Sequence, residues 1–185
     1  MQQYSILEKR IKYFPASLYH SFSQPFEVEK ASLCYYFAPN DPQPFLDLYN
    51  NVTHVGHSNP AVLKAVQEAY STINIHTRYF NKNLTNYVER LQGYLPKGFK
   101  VLFTNSGSEA NDLALQIALK AHKDANIGSF ERSYHGTTWL CNHISHLTPT
   151  GVVDPKSTKF NVKFFSPESS TETLLKDLSV KSFIL

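Results

Sequence analysis

The spacing of apolar positions changes along the chain from irregular to strongly periodic. Residues 1–45 carry scattered prolines and aromatic residues around short extended stretches such as "FEVEKASLCYYFA", a composition that indicates an irregular arm or small sub-domain. From residue 59 onward, apolar residues recur at helical spacing. We therefore predict an N-terminal arm over residues 1–45 and a larger folded domain over residues 46–185.

Two helices are predicted at the beginning of the larger domain. The first follows Asn59, a suitable N-cap, and starts at Pro60, where the missing N–H costs nothing. The second starts near Leu84 and is stopped by Pro96. Their apolar faces contain Val62, Ala65, Val66 and Ala69 in the first helix, and Leu84, Val88, Leu91 and Leu95 in the second.

Strands and helices alternate in the rest of the chain. The apolar stretch "KVLFT" has the length of a buried strand, and "ANIGSF", "VKFF" and "SFIL" predict further strands, with "TETLLKDL" a helix among them. This order predicts an α/β fold with a mainly parallel sheet and helices on both faces. The helix after "KVLFT" has an apolar stripe that we expect to face the core, with Leu115 and Leu119 widening it: Ala110, Leu113, Ala114, Ile117, Ala118 and Ala121.

The turn that opens this helix has two possible explanations. Ser106 and Glu109 have the spacing of a capping box, in which Ser106 accepts from the N–H of Glu109 and the carboxylate returns to the N–H of Ser106. That leaves Gly107 unexplained, because glycine lowers helix propensity by about 1 kcal/mol relative to alanine. A helix N-terminus with glycine and serine also forms an anion site. The turn alone leaves the capped helix and the phosphate site equally open, and it lacks the Walker and Rossmann patterns.

Composition and charge narrow the possible functions. Lys and Arg number 18 against 15 acidic residues and are scattered along the chain, so we expect no nucleic-acid partner. Cys34 and Cys141 lack CxxC spacing, which predicts neither a metal site nor a disulfide. The first residues do not follow the layout of a signal peptide, and no apolar run is long enough to cross a bilayer. We expect a soluble, cytoplasmic protein without a membrane partner.

A second short motif should lie at the same edge of the sheet as the serine-rich turn. Tyr134, His135 and Gly136 follow the predicted strand "ANIGSF", and the carboxyl ends of parallel strands share one edge. Tyr134 could stack on a flat ligand, and Gly136 would leave room for it. Taken alone, this motif favours an ordinary surface loop.

Three stretches together resemble a known family. "NNVTHVGHSNPAVLKAV", "TNSGSEANDLALQIA" and "SYHGTT" are similar, in order and spacing, to the first half of a class III pyridoxal-phosphate (PLP) aminotransferase of fold type I. The similarity covers roughly residues 25–185 and is greatest to the branch with ethanolamine-phosphate phospho-lyase and alanine–glyoxylate aminotransferase-like proteins. It implies an incomplete fold type I large domain over residues 46–185, preceded by an arm and part of a small domain.

The resemblance also implies roles for individual residues. Ser106, Gly107 and Ser108 would hold the cofactor phosphate, Tyr134 would stack on the pyridine ring, and His135 and Gly136 would line the pocket. The segment with Asn51, His54, Gly56 and His57 would lie near the active-site entrance, and Arg78 would approach a partner subunit. The complete enzyme would be a homodimer that binds a small amino substrate.

Two groups that the family's chemistry requires have no matching motif in this sequence. PLP enzymes use a Schiff-base lysine and an acid at the pyridine nitrogen, so we assign no catalytic residue here. We expect this chain alone to be marginally stable, because "KVLFT" would lack its usual neighbouring strands. Three hypotheses stay open: part of a PLP-dependent aminotransferase or phospho-lyase, a non-catalytic remnant or assembly subunit that keeps the phosphate site, and an unrelated phosphate- or nucleotide-binding module.

Overall fold

The computed structural model describes residues 5–15, 26–50, 54–122, 126–148, 151–152, 161–170, 172 and 182–184. The chain forms two compact units, Met1–Lys97 and Gly98–Leu185, called here unit 1 and unit 2. The domain division that we predicted after residue 45 stays a prediction.

The described residues of unit 1 form three helices and a small antiparallel sheet. Its helices are α1 (Ile6–Tyr13), α2 (Pro60–Thr72) and α3 (Lys82–Gln92), and its strands are β1 (Lys30–Ser32), β2 (Tyr35–Phe37) and β3 (Phe45–Leu46). The strand order is β1-β2-β3, and both pairs are antiparallel. The extended pieces expected in this region are therefore present as a three-stranded sheet.

Local capping explains where the helices of unit 1 begin. Asn59 caps α2 by accepting from the N–H of Ala61 at 3.0 Å, and Pro60 occupies the first turn, which confirms the prediction. Helix α3 starts two residues earlier than predicted, because Asn81 supplies a cap of the same kind.

Helix α1 was missed, and the prediction of an irregular arm was wrong over its residues. Ser5 accepts from the N–H of Glu8 at 3.2 Å, and the Glu8 carboxylate accepts from the N–H of Ser5 at 2.7 Å. The S-x-x-E spacing of these two residues was the signal that could have revealed this helix.

Unit 2 is built around a parallel sheet. Its elements are α4 (Gly107–Ala121), β4 (Asn126–Phe130), α5 (Trp139–Ile144), β5 (Leu147–Thr148), β6 (Gly151–Val152), β7 (Val162–Phe165) and β8 (Ser182–Ile184). Strand β4 lies between β7 and β8 and pairs in parallel with both, while β5 and β6 form a short antiparallel pair. This arrangement confirms three predicted strands and their parallel order. The predicted helix "TETLLKDL" lies outside the described residues, apart from Glu172.

The prediction of a strand at "KVLFT" was wrong. Residues 100–104 form no strand, and none of the described strands pairs with them. The side chains of Leu102 and Phe103 are 66% and 46% exposed. A strand requires a neighbour for its backbone N–H and C=O groups, so an apolar sequence of suitable length does not form one by itself.

The core of unit 2 lies between one face of the sheet and helices α4 and α5. It contains Leu115, Ile127, Leu140, Ile144 and Val162, with Leu119 and Phe164 packed against it. The stripe that we predicted to be the buried face of α4 is largely exposed: Ile117 is 53% exposed, while Leu115 is 2% exposed. Both sides of this helix are apolar, so the spacing of apolar residues alone could not identify the side that meets the sheet.

The described residues contain neither a membrane-spanning helix nor a cluster of metal ligands. None of the helices there combines the length and the apolar character needed to span a bilayer. The same part of the chain contains no group of three His, Cys, Asp or Glu side chains placed to bind a metal ion. Cys34 is exposed and Cys141 is buried, and neither forms a disulfide.

Candidate functional site

The serine-rich turn is a capped helix start. The Glu109 carboxylate accepts from the N–H of the residue before Ser106, one residue earlier than predicted. Ser106 has extended backbone angles, and its hydroxyl accepts from the N–H of Glu109 at 3.1 Å. The Glu109 carboxylate accepts from the N–H of Asn105 at 2.8 Å and also lies 3.4 Å from the Ser106 hydroxyl. The predicted return contact to the N–H of Ser106 was therefore wrong. The Ser106 side chain is engaged in capping.

Gly107 leaves one side of this turn open. Apart from its chain neighbours and the backbone of its own helix, a Cβ added to Gly107 would meet no atom within 4 Å. Among the described residues, the backbone N–H groups of Gly107 and Ser108 have no hydrogen-bond partner. These N–H groups belong to the first helical turn, where the helix dipole adds partial positive charge. The open side of the turn thus has the donors and the space that an anion requires.

The turn and the Tyr134–Gly136 motif meet at Ser108. Gly136 has a φ of +135°, and a Cβ at this position would lie 2.3 Å from the Ser108 hydroxyl oxygen and 2.8 Å from its Cα. The N–H of Thr137 donates to the same hydroxyl at 3.2 Å. Because the hydroxyl oxygen accepts here, its own proton stays available for a second partner. Only glycine permits this close approach.

The side chain of Tyr134 is exposed, whereas that of His135 is partly buried. Tyr134 has 56% of its surface exposed. The His135 ring is held inside unit 2, with its Nε2 atom 3.0 Å from the Ser129 hydroxyl. Since Ser129 donates its proton to the carbonyl of Ile144 at 2.7 Å, it accepts from His135, whose Nε2 carries the hydrogen. Burial lowers the pKa of His135, consistent with a neutral ring that braces the segment from behind.

Two helix residues that the sequence analysis did not single out connect α4 with this segment. The side-chain amide of Asn111 donates to the carbonyl of His135 at 3.0 Å, and the Asp112 carboxylate accepts from the N–H of Leu140 at 3.3 Å. Polar residues on a helix usually indicate a solvent-facing side, which is why sequence reasoning passed over them. Their positions three and four residues after Ser108, on the same face of the helix, were the available signal.

A cavity lies on the flank of α4 beside the turn. Its volume is about 360 Å³. None of the six predicted cofactor-binding residues lines it. Its lining consists of Phe103, Thr104, Asn105, Glu109, Asp112, Leu113, Gln116 and Thr138.

In unit 1, the predicted entrance segment is fixed to the small sheet. The backbone groups of His57 and Leu33 exchange two hydrogen bonds of 2.8 Å, and the His57 ring lies 2.8 Å from the Asp47 carboxylate. Burial would raise the pKa of Asp47, but hydrogen bonds from Asn50, His57, Tyr36 and Tyr49 outweigh it and hold this pKa well below its usual range.

The remaining entrance residues are placed as follows. His54 and Gly56 line a cavity of about 410 Å³ that also includes Val62 and Leu63. Asn51 lies outside the described residues. Arg78 is exposed, and its backbone N–H donates to His76 Nδ1 at 3.2 Å. Their predicted roles at an entrance and at a partner subunit stay predictions.

Comparison with known proteins gives consistent matches. The profile of the family described as Aminotransferase class-III matches residues 19–174. The chain is 39% identical over 133 residues to Ethanolamine-phosphate phospho-lyase homolog 1 of Caenorhabditis elegans, covering 71% of this chain and 26% of that protein. It is 35% identical over 115 residues to an Alanine–glyoxylate aminotransferase 2-like protein of Drosophila melanogaster, covering 62% and 23%. The chain thus spans about a quarter of these relatives.

A solved structure agrees with these matches. A phospholyase from Arthrobacter, in complex with phosphoethanolamine, superposes with a TM-score of 0.77 and 32% identity. The superposition covers 94% of this chain and 42% of that protein. The shared fold therefore extends over both units of the chain.

Proposed function

Because the chain belongs to the class III aminotransferase family, we propose that it supplies the phosphate-binding part of a PLP-dependent aminotransferase acting on a small amino acid or amine. The profile match confirms the resemblance that three motifs predicted. The fold is part of the α/β fold of PLP-dependent transaminases of fold type I. The chain spans about a quarter of the length of the matched relatives. The activity, substrate and partners of the complete enzyme are therefore proposals.

The contact between Ser108 and Gly136 is the observation that carries this proposal. It brings the phosphate-binding turn and the Tyr134 segment together, although they lie far apart in the sequence. A ligand with a phosphate group and a flat ring needs donors and an aromatic face near one another. Neither motif would make such a site without the other.

The residues present fit the phosphate and the ring of PLP. The open N–H groups of Gly107 and Ser108 and the free proton of the Ser108 hydroxyl form the donor set for the phosphate. Ser106 contributes its backbone to the phosphate-binding turn, while its side chain caps the helix. Tyr134 offers an exposed ring for stacking.

In the proposed site, the residues of this chain bind the cofactor and orient it. His135 and Gly136 fix the Tyr134 segment from the inner side. When bound, PLP withdraws electrons from the carbon that bears the substrate amino group. We assign no residue of this chain to the covalent lysine or to the acid at the pyridine nitrogen.

Binding of 4'-deoxypyridoxine 5'-phosphate tests the proposed site. This PLP analogue lacks the aldehyde, so it cannot react with surface lysines, and Trp139, the single tryptophan, reports binding by fluorescence. We expect Ser108→Ala to weaken binding about ten- to a hundredfold, since a hydrogen bond to a charged group contributes about 1.5–3 kcal/mol. Ser71→Ala, the same change on exposed helix α2, is the control.

Two outcomes would contradict the proposed site. If the wild-type chain binds 4'-deoxypyridoxine without its phosphate as tightly as the phosphorylated probe, the turn does not bind phosphate. If the chain binds ATP and not the phosphopyridine, the unrelated nucleotide-binding module is the better hypothesis.

A phospho-lyase is the second candidate function. The relative from C. elegans and the solved protein from Arthrobacter both carry this name. Pyruvate formation from alanine and glyoxylate indicates aminotransfer, whereas release of inorganic phosphate from phosphoethanolamine indicates the lyase.

The two assays are run on this chain alone and together with a polypeptide that carries the family's lysine motif. We expect turnover only in the second case. Activity of this chain alone, with PLP fixed to one of its lysines by borohydride, would contradict our view that the covalent lysine is missing here. No turnover in either case would favour the non-catalytic remnant.

We also propose that the complete enzyme is a cytoplasmic homodimer. The family resemblance supports the dimer, and two described cysteines without a disulfide support a reducing compartment. Sedimentation velocity and cell fractionation test these two points separately.

A further inference from the structure

We infer that Asn111 and Asp112 are positioning residues that hold the Tyr134 ring at a fixed distance from the phosphate-binding turn. This inference rests on the proposed function, because it concerns how the two halves of that site are kept together. Neither residue is among those that the family resemblance predicted.

Three consecutive contacts join α4 to the segment after β4. Ser108, Asn111 and Asp112 occupy positions i, i+3 and i+4, so they share one face of the helix. Ser108 receives the N–H of Thr137, Asn111 donates to the carbonyl of His135, and Asp112 receives the N–H of Leu140. The backbone that follows Tyr134 is thereby attached to the helix at three successive points.

Side chains also join the starts of α4 and α5, and one of them caps α5. Thr138, the N-cap of α5, makes no cap within its own helix, and its hydroxyl donates to the carbonyl of Ser108 at 3.4 Å. In return, Asp112 accepts the N–H of Leu140 in the first turn of α5. A carboxylate at this end of a helix is also favoured by the helix dipole. The thiol of Cys141 adds a further bond of 3.2 Å to the Ser108 carbonyl.

Asn111 and Asp112 act through the segment and not through a ligand. One Asp112 oxygen accepts from Leu140, and the other accepts from the side chain of Gln116 at 2.6 Å. The Asn111 amide donates to the carbonyl of His135. A ligand that contacts both the turn and the Tyr134 ring depends on their separation, whereas an anion bound only at the turn does not.

Paired binding measurements test this inference. The probes are 4'-deoxypyridoxine 5'-phosphate, which requires the turn and the ring, and inorganic phosphate, which requires only the turn. We expect Asp112→Ala and Asn111→Ala each to weaken binding of the first probe about tenfold, the equivalent of one lost hydrogen bond of about 1.4 kcal/mol. Binding of inorganic phosphate should change by less than about twofold, well under the free energy of one such bond.

Two further variants separate positioning from general damage. Asp112→Asn keeps an oxygen for the N–H of Leu140, so it should restore most of the affinity. Gln116→Ala removes a neighbour whose hydrogen bond goes to Asp112 and not to the Tyr134 segment, and this variant should bind both probes like the wild type.

Each outcome decides a definite question. If the wild-type chain does not bind the phosphopyridine, the proposed function fails and the inference fails with it. If the wild type binds while Asp112→Ala and Asn111→Ala bind equally well, only the positioning role is overturned. A parallel loss for both probes would mean a merely structural role. If Asp112→Ala does not fold, Asn111→Ala, which loses a single side-chain bond, decides the same question.

Discussion

Units 1 and 2 begin their helices in the same way but differ in what those helices bury. Asn59 and Ser106 each cap a helix with a side-chain oxygen. The described residues of α1, α2 and α3 include no buried side chain, whereas α4 and α5 contribute Leu115, Leu140 and Ile144 to a core. Capping is local, while burial requires a partner surface.

Helices α2 and α4 illustrate the difference with one residue type. Leu63 in α2 is 57% exposed, and Leu115 in α4 is 2% exposed. Both lie in helices with apolar residues at helical spacing. The sheet strand β4 and helix α5 cover Leu115, so the packing of unit 2 and not the character of the helix makes the difference.

The largest expected effect comes from the same substitution in both helices. Leu115→Ala should lower the free energy of unfolding by about 2–5 kcal/mol because it leaves a cavity in the core. Leu63→Ala should change it by less than about 0.5 kcal/mol. Urea unfolding followed by Trp139 fluorescence and by hydrogen exchange measures both. Equal costs at the two positions would mean that unit 1 has a core that its exposures do not indicate.

Two glycines in unit 2 should respond in opposite ways. Gly136→Ala places a Cβ against Ser108 at a positive φ and should cost about 1–3 kcal/mol of stability. Gly107→Ala has open space and should keep or raise stability by up to about 1 kcal/mol, while its methyl group obstructs the phosphopyridine. Thermal unfolding and probe binding are measured on both variants. Reduced stability in Gly107→Ala would contradict the open side of the turn.

Acid should weaken unit 2 before unit 1. The folded-state pKa of His135 is lowered from 6.5 by burial, so its stabilisation is complete above pH 6.5 and is lost as pH falls through the folded pKa. Asp47 also has a lowered pKa, from 3.8, so unit 1 should keep its contribution until the pH falls below that value.

Hydrogen exchange resolved by unit, measured as a function of pH, checks this order. In His135→Gln, the stability of unit 2 should fall less steeply below pH 6.5 than in the wild type. In Asp47→Asn, the stability of unit 1 should fall less steeply below pH 3.8. An unchanged profile in either variant would show that another group controls that unit.

The smallest effect should be the same in the two units. Ser106→Ala and Asn59→Ala each remove one N-cap, and each should cost about 1 kcal/mol. Far-UV circular dichroism during thermal unfolding measures the loss. A much larger cost at Ser106 would indicate a structural role beyond the cap, through its contact with Glu109.

Sequence reasoning worked where the cause is local. The Asn59 cap, the start of α2 and the Ser106 cap follow from neighbouring residues. It failed at α1, where the Ser5–Glu8 spacing was present but was not used. The three strands β4, β7 and β8 could also be predicted, since apolar runs of this length between helices are typical of parallel sheets.

The candidate site was predicted in part. The turn at Ser106–Ser108 and the Tyr134 segment came from motifs. The contact of Gly136 with Ser108 and the contacts of Asn111 and Asp112 came only from the structure. Contacts between residues far apart in sequence depend on how β4 and α5 place the chain, and no local pattern encodes that placement.

By itself, the sequence determined the helix caps, the glycine in the first turn of α4 and the family to which the chain belongs. The tertiary structure decided that Leu115 and not Ile117 is buried, that residues 100–104 form no strand, and that the His135 ring is hydrogen-bonded to Ser129. The physical reason is the range of the interactions. Caps and propensities act within one turn of helix, whereas burial, strand pairing and the meeting of two motifs need a surface supplied by a distant part of the chain.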